Sequence, residues 1–258
     1  MEPRAARLVV LAVAALVAVC AVLVTVSVVT RSSRADQTGP TTGQTTTGQT
    51  STGQTSTGQT PGGSTDPDAP VVAFYGDSYT LGTGASDPAK RWSSVIAAER
   101  GWNEFNYSVN GLGFVNHRQS TPPDYGPEDG VSRSIAADPD ILFVTMGLND
   151  NFSMPDRADD VRAAIRTDFA TLRAALPDAR IVVVEPFWYT DDRPDSLTQI
   201  IDWVRSEAAV IDADFIPGAS HWIEGHPEWM AADGLHPNND GYAEMAVRMD
   251  ESLRAIGL

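Results

Sequence analysis

Short apolar runs separated by helical patterns are the feature of this sequence that most restricts its fold. The runs at 71–75, 141–146 and 181–185 are rich in β-branched and aromatic residues, which is typical of strands buried on both faces. Weaker strand candidates lie at 105–109 and near 210–216. Together these runs predict a sheet of about five strands within residues 71–258.

Amphipathic helices are predicted between the strands. Apolar residues recur at steps of three and four over 161–176, 197–208 and 242–256, the spacing of one helix face. Alternating strands and helices imply right-handed βαβ crossovers and a parallel sheet covered on both faces. The sequence therefore predicts an α/β fold, whose functional site lies at the carboxyl ends of the strands.

The N-terminal part of the chain has a different character. Residues 8–30 form an uncharged run dominated by Val, Ala and Leu, and a helix of this length spans about 34 Å, enough to cross a bilayer. We expect 1–34 to be an uncleaved signal anchor. The alternative is a signal peptide that is cleaved near Ala35, which would release a secreted protein.

A low-complexity segment connects this apolar run to the predicted domain. Residues 35–70 include four consecutive TTGQT or STGQT pentads at 41–60. Such a segment has no apolar side chains to bury and cannot offset its ordering entropy. We therefore expect a flexible linker with an r.m.s. span of about 30–35 Å.

The charge of the chain is concentrated in the predicted domain. The sequence has 34 acidic and 18 basic residues, a formal net charge of −16. Four of each kind lie within 1–70, so the whole net charge falls on 71–258. This balance argues against nucleic-acid binding and against docking of the domain on anionic lipid. Membrane association is expected through the N-terminal helix only, as a single-pass anchor with the domain outside the cytoplasm.

Four polar segments follow predicted strands or precede the last helix. They read GDSYT at 76–80, NYSVNG at 106–111, GLND at 147–150 and DGLHPN at 233–238. Taken singly, each has an ordinary structural explanation as a helix cap or turn. Taken together and in this order, they supply the groups that acyl transfer through a serine requires.

Each segment offers one chemically useful group. Ser78 lies on a strand-to-helix turn, where a nucleophilic hydroxyl is exposed at the rim of a sheet. Asp233, three residues before His236, is placed to accept from Nδ1–H and leave Nε2 as a base. Gly111 allows the backbone to aim an N–H into a site, and the amide of Asn149 is a candidate oxyanion donor.

The four segments resemble the sequence blocks of the SGNH (GDSL-type) hydrolases. The resemblance covers 71–258 in block order, with Tyr79 in place of the leucine of GDSL. It implies a flavodoxin-like three-layer α/β/α sandwich around a parallel sheet of about five strands. It also implies a serine esterase or acylhydrolase that needs no cofactor and no metal.

The resemblance assigns a role to each candidate residue. Ser78, Asp233 and His236 would form the catalytic triad, and Ser78, Gly111 and Asn149 the oxyanion hole. The expected substrates are short-chain or carbohydrate O-acyl esters. Two alternatives stay open: an O-acyltransferase that uses the same triad on a cell-envelope glycan or lipid, and a non-catalytic tethered binding module.

Four aromatic or imidazole side chains are further candidates for the substrate cleft, because they follow predicted strands. They are Phe114, His117, Trp188 and Tyr189. Such residues pack in cores about as often as they bind a sugar or an acyl chain.

Overall fold

A five-stranded parallel sheet is the centre of the fold in the computed structural model, which describes residues 66–118 and 130–258. Its strands are β1 (Val71–Gly76), β2 (Asn103–Asn106), β3 (Ile141–Thr145), β4 (Arg180–Val184) and β5 (Asp214–Ile216). The strand order is β2-β1-β3-β4-β5, and every neighbouring pair is parallel. This is the flavodoxin-like order, which reverses direction between β1 and β3, and it confirms the predicted α/β fold.

Helices cover both faces of the sheet. In chain order they are α1 (Ser78–Leu81), α2 (Trp92–Arg100), α3 (Gly130–Ala136), α4 (Ala158–Ala175), α5 (Asp195–Val210) and α6 (Asn239–Ala255). Side chains of α2 and α6 pack into one apolar cluster, and those of α3 and α4 into the other. The result is the predicted three-layer sandwich.

The central strand β3 has a largely apolar sequence and does not alternate between apolar and polar residues. Every residue of β3 is buried, because both faces of a parallel sheet are covered. Phe143 stacks on Phe74 of β1 on one face, with ring centroids 4.9 Å apart, while Leu142 and Val144 enter the opposite cluster. Continuous apolar runs are therefore the expected pattern, and all three strong runs became strands.

The two weaker strand predictions were displaced along the chain. β2 ends at Asn106, three residues before the predicted end, because the Asn106 side chain accepts the Ser108 N–H and turns the backbone (3.0 Å). β5 begins only at Asp214, because Val210 is still the last residue of α5 and is exposed. Both strands border the sheet, where the apolar signal is weakest.

A buried carboxylate organises the polar contacts between β2 and α2. Glu104 is fully buried and accepts from Arg91 Nη2 at 3.1 Å, Ser93 Oγ at 3.1 Å and Ser94 Oγ at 2.7 Å. A buried charge persists only when it is paired and hydrogen-bonded. We call Glu104 and these three partners the Glu104 network.

Side chains in and around the Glu104 network hold the single-turn helix α1. The Leu81 carbonyl accepts from Arg91 Nη1 at 3.2 Å, the Thr80 carbonyl from Asn106 Nδ2 at 2.9 Å, and the Tyr79 carbonyl from the Trp92 indole at 3.1 Å. The terminal carbonyls of a helix have no partner inside it, and one turn is not stable by itself. Tertiary hydrogen bonds therefore fix α1 at the end of β1.

The predicted membrane anchor and most of the predicted linker, 1–34 and 35–65, lie outside the described residues. Across residues 66–118 and 130–258, no helix is long and apolar enough to cross a membrane.

Replacing Glu104 by Gln should lower the free energy of unfolding by about 3–5 kcal/mol, because the charge facing the buried Arg91 is lost. Urea unfolding followed by tryptophan fluorescence measures this change. Glu244→Gln is the matched control, since it removes a half-exposed partner of Arg248 (2.9 Å) and should cost less than about 1 kcal/mol. Equal effects of the two substitutions would contradict a special role for Glu104.

Candidate active site

The predicted nucleophile lies on a tight turn at the carboxyl end of β1. Gly76 is the last residue of the strand, Asp77 caps α1, and Ser78 is the first helical residue. The Asp77 carboxylate accepts the Tyr79 N–H at 2.9 Å. A Cβ at Gly76 would collide with Thr145 Oγ1 at the end of β3, so the approach of the two strand ends requires glycine.

The predicted base and its orienting carboxylate form a hydrogen-bonded pair in the loop before α6. Asp233 Oδ2 lies 2.7 Å from His236 Nδ1, and Asp233 Oδ1 accepts the backbone N–H groups of Leu235 and His236 at 2.9 and 3.0 Å. This arrangement occupies Nδ1 and leaves Nε2 as the nitrogen for proton transfer.

The electrostatics of this pair favour an ionised Asp233. Partial burial acts to raise the pKa of Asp233, but hydrogen bonds from the His236 side chain and from the His236 and Leu235 N–H groups outweigh it and lower the pKa. A charged carboxylate at Nδ1 accepts the ring N–H and fixes the orientation of the imidazole.

The loop that carries His236 lies against the turn that carries Ser78. The Tyr79 hydroxyl donates to the Leu235 carbonyl at 2.7 Å, and the Tyr79 and His236 ring centroids are 6.1 Å apart. Within the described residues, no hydrogen bond joins Ser78 Oγ to the imidazole. In unliganded hydrolases this contact is often long and tightens when substrate binds.

The predicted backbone donors of the oxyanion hole are available. Gly111 adopts φ +72°, a left-handed conformation that favours glycine, and a Cβ there would also approach the exposed His117 ring to 2.8 Å. Within residues 66–118 and 130–258, neither the Ser78 N–H nor the Gly111 N–H donates to another protein group. Both are free to donate to a substrate oxygen.

The amide of Asn149 is held between the first two polar segments. Its Nδ2 donates to the Leu112 carbonyl at 3.0 Å and, over a longer 3.4 Å, to Asp77 Oδ2. The structure thus brings Asn149 to the capping residue next to Ser78 and to the residue next to Gly111. The bond to Asp77 is the weaker of the two and is the one that a substrate oxygen can replace.

Asp150 fixes the loop that follows Gly111. Its fully buried carboxylate accepts the N–H groups of Phe114, Val115 and Asn116 at 2.7, 2.9 and 3.3 Å. A Cβ at Gly113 would lie 2.6 Å from the carboxylate oxygens. Burial raises the pKa of Asp150, although the three N–H donors act to lower it.

Asp77 is a second buried carboxyl in the site. The pKa of Asp77 is raised to about 7, mainly by burial; the Tyr79 N–H acts to lower it, and the charge of Asp150 acts to raise it. The negative charge of Asp150 thus opposes the ionisation of Asp77.

The candidate cleft residues divide into two kinds. Trp188 is buried, and its indole donates to the Asp192 carbonyl at 2.8 Å. Phe114 packs edge-on against Phe169 in the core. By contrast, His117 is exposed and Tyr189 is half-buried, and the two line separate cavities.

The remaining histidines are bound to carboxylates rather than to one another. His221 Nδ1 lies 2.6 Å from Glu224, and His226 Nδ1 lies 2.8 Å from Glu228. In the part of the chain that the structure describes, no three His, Cys, Asp or Glu side chains are grouped as metal ligands.

Sequence reasoning missed the residues that support this site. Glu104 and Asp150 are both fully buried acids. Their positions in the sequence could have pointed to them, because Glu104 interrupts a short strand and Asp150 directly follows Asn149. Their donors come from residues that only the fold brings near.

Asp77→Asn should change how stability depends on pH. The carboxyl in the unfolded chain, with a pKa near 3.8, loses its proton before the folded one does near 7, so the contribution of Asp77 to stability falls as pH rises through this window. The stability of the variant relative to the parent should therefore rise between pH 4 and 7, by at most about 1.4 kcal/mol per pH unit.

Urea unfolding at several pH values measures this difference, with the exposed Asp178→Asn as control. A difference between Asp77→Asn and the parent that is the same at every pH would contradict the burial of a titrating carboxyl at this position.

The sequence matches a known protein family over most of its described residues. A profile of the GDSL-like Lipase/Acylhydrolase family matches residues 74–244. The GDSL lipase Rv0518 of Mycobacterium tuberculosis is 32% identical over 186 residues, which cover 69% of this chain and 79% of the relative.

Solved structures share the fold at lower identity. The acetylxylan esterase Axe2 from Geobacillus stearothermophilus matches with a TM-score of 0.54 and 20% identity, over 76% of this chain and 96% of its own. The salicylyl-acyltransferase SsfX3 from a tetracycline biosynthetic pathway matches with a TM-score of 0.56 and 20% identity, over 74% of this chain and 55% of its own. On the extent of the family match and the identity to the curated relative, this chain belongs to the GDSL-like lipase/acylhydrolase family and is an SGNH-type ester-hydrolysing enzyme.

Proposed function

We propose that this enzyme hydrolyses short-chain or carbohydrate O-acyl esters through an acyl-enzyme on Ser78. The observation that carries the proposal is the 2.7 Å pair of Asp233 and His236 against the turn that presents Ser78. Nucleophile, base, orienter and oxyanion donors all lie in the loops at one end of the sheet, where α/β folds bind ligands.

The first half of the reaction forms the acyl-enzyme. His236 Nε2 takes the Ser78 hydroxyl proton as Oγ bonds to the ester carbonyl carbon, and Asp233 stabilises the resulting imidazolium. His236 then protonates the leaving oxygen as its bond to carbon breaks, so the alcohol departs neutral. In the second half, His236 deprotonates a water molecule as its oxygen bonds to the acyl carbon. His236 then returns the proton to Ser78 Oγ as the bond from Oγ to that carbon breaks, which releases the acid.

The carbonyl oxygen carries the negative charge that develops in both halves. The N–H groups of Ser78 and Gly111 and the amide of Asn149 are placed to donate to it. For Asn149, the long 3.4 Å contact to Asp77 gives way to a charge-assisted hydrogen bond that forms only as the oxyanion develops. Such an interaction lowers the barrier rather than strengthening substrate binding.

Two features support a small or carbohydrate ester. The net charge of −16 disfavours anionic substrates through long-range repulsion. The fold neighbour Axe2 is an acetylxylan esterase, a carbohydrate O-acyl hydrolase.

O-acyl transfer to a cell-envelope glycan or lipid hydroxyl is the second candidate function. It is supported by the likeness of the fold to that of the acyltransferase SsfX3. A hydroxyl acceptor would then replace water in the second half of the reaction. Product analysis with added alcohols or glycans separates the two, since a hydrolase releases mainly free acid. A non-catalytic binding module is disfavoured because Ser78, Asn149, Asp233 and His236 are all present.

We place the enzyme at the cell membrane, held by the predicted anchor at 8–30 with the catalytic domain extracytoplasmic at the end of the linker. The polar pentads at 41–60 suit a tether. Mass spectrometry of the mature N-terminus tests this placement: an intact residue 1–34 segment supports the anchor, and a terminus near Ala35 supports secretion instead.

Ser78→Ala should abolish turnover of p-nitrophenyl acetate, because it removes the attacking oxygen and leaves only residual oxyanion stabilisation. Steady-state kinetics with the folded variant, checked by circular dichroism, gives the result. Activity within tenfold of the parent would contradict covalent catalysis at this residue.

Asn149→Ala should lower kcat by about 10²–10³ with little change in KM, because an oxyanion donor acts in the transition state. The matched control is Asn151→Ala, two residues along the same loop. A rise in KM at constant kcat would instead assign Asn149 to substrate binding.

A further inference from the structure

A second cavity borders the catalytic loop on the side of His236. It has a volume of about 440 Å³, and we call it the His-loop cleft. Its lining includes Tyr189, Asp191, His226, Met230, Ala231 and Gly234. The last two belong to the loop that carries the base: the Ala231 N–H donates to the His236 carbonyl at 2.8 Å, and Gly234 directly follows Asp233.

The walls of the His-loop cleft are held in place by the fold. Tyr189 packs against Trp188 with ring centroids 4.7 Å apart, and the Trp188 indole is fixed by two hydrogen bonds. His226, also in the lining, stacks on Trp229 with ring centroids 3.6 Å apart and planes 9° apart. The rings of Tyr189 and His226 are thus already fixed, so a ligand that binds them does not have to offset the conformational entropy that flexible side chains would lose.

The stereochemistry of ester cleavage decides which part of a substrate reaches this cleft. In the tetrahedral intermediate, the oxyanion points to Gly111 and Asn149, whereas the leaving oxygen must lie within reach of His236 Nε2, which protonates it. The alcohol group attached to that oxygen therefore leaves along the His236 side. The larger cavity at His117 and Thr167, about 700 Å³, lies beside the oxyanion loop instead.

The lining of the His-loop cleft combines ring faces with polar groups. The half-exposed Tyr189 ring offers a flat apolar surface, and its phenol hydroxyl is a neutral hydrogen-bond donor. Asp191 adds an exposed carboxylate, one oxygen of which is already fixed by the Gly225 N–H at 2.8 Å. A sugar ring, with apolar faces and hydroxyl edges, complements such a surface.

We propose that the His-loop cleft binds the alcohol part of the substrate, that this part is a carbohydrate, and that Tyr189 is the residue that selects it. The proposal rests on the proposed esterase function, because it assigns the leaving group by the position of His236. It deepens that function by separating recognition of the alcohol from recognition of the acyl group.

The test compares two acetate esters that differ only in the alcohol. A mono-O-acetyl methyl xyloside has a sugar to fill the cleft, whereas ethyl acetate has an alcohol too small to reach it. Both give the same acetyl-enzyme. Tyr189→Ala should lower kcat/KM for the xyloside ester about tenfold and leave that for ethyl acetate within about twofold. Hydrolysis of the acetyl-enzyme, measured in a p-nitrophenyl acetate burst, should not change.

Two control variants sharpen the comparison. Tyr189→Phe keeps the ring and should retain most of the preference for the sugar ester, and Thr167→Ala alters the other cavity and should leave the preference unchanged. The inference is overturned if Tyr189→Ala lowers kcat/KM for both esters equally, or for neither.

A binding measurement keeps this test independent of turnover. Methyl xyloside, the alcohol product, should bind the Ser78→Ala protein in an NMR titration, and adding Tyr189→Ala should weaken that binding about tenfold. If the parent enzyme shows no ester turnover that depends on Ser78, the proposed function alone is overturned. If the variant with both Ser78→Ala and Tyr189→Ala binds methyl xyloside as well as Ser78→Ala does, or if Ser78→Ala does not bind it, the assignment of the cleft alone is overturned.

Discussion

The buried Glu104 carboxylate and the donors around it are the constraint on which the site depends. The nucleophile's helix α1 is a single turn with no stability of its own, and its last carbonyls would be unsatisfied without side chains from α2 and β2. Arg91 satisfies both the buried carboxylate and the end of α1, because it pairs with Glu104 and also donates to the Leu81 carbonyl. The position of Ser78 is therefore set by tertiary hydrogen bonds rather than by local helix propensity.

The other parts of the site are fixed more locally. Asp233 and His236 are three residues apart and make their contacts within one loop, and Asp150 holds the loop after Gly111 through three consecutive N–H groups. Long-range contacts then join these loops to one another, such as the hydrogen bond from the Tyr79 hydroxyl to the Leu235 carbonyl. In such a site, short segments of the chain supply the reactive groups, and the sheet brings these segments together.

Much of this could be predicted from the sequence, because the relevant signals are local. Buried parallel strands show as continuous apolar runs, and the polar segments that follow them lie at the functional edge of the sheet. Edge strands such as β5 were misplaced by a few residues because little of their surface is buried. Glu104 and Asp150 could not be assigned, because the role of a buried acid depends on donors from distant parts of the chain. The same holds for the His-loop cleft.

The most direct test of this account is to map the site at which the full-length enzyme reacts with a fluorophosphonate. The reagent needs a serine that is activated by a base and an oxyanion hole that accepts its phosphoryl oxygen, so it reports on the assembled site. One adduct is expected, on Ser78, and it should be lost in His236→Ala. An adduct on a different serine, or none on a preparation that hydrolyses esters, would contradict the role of Ser78 as nucleophile.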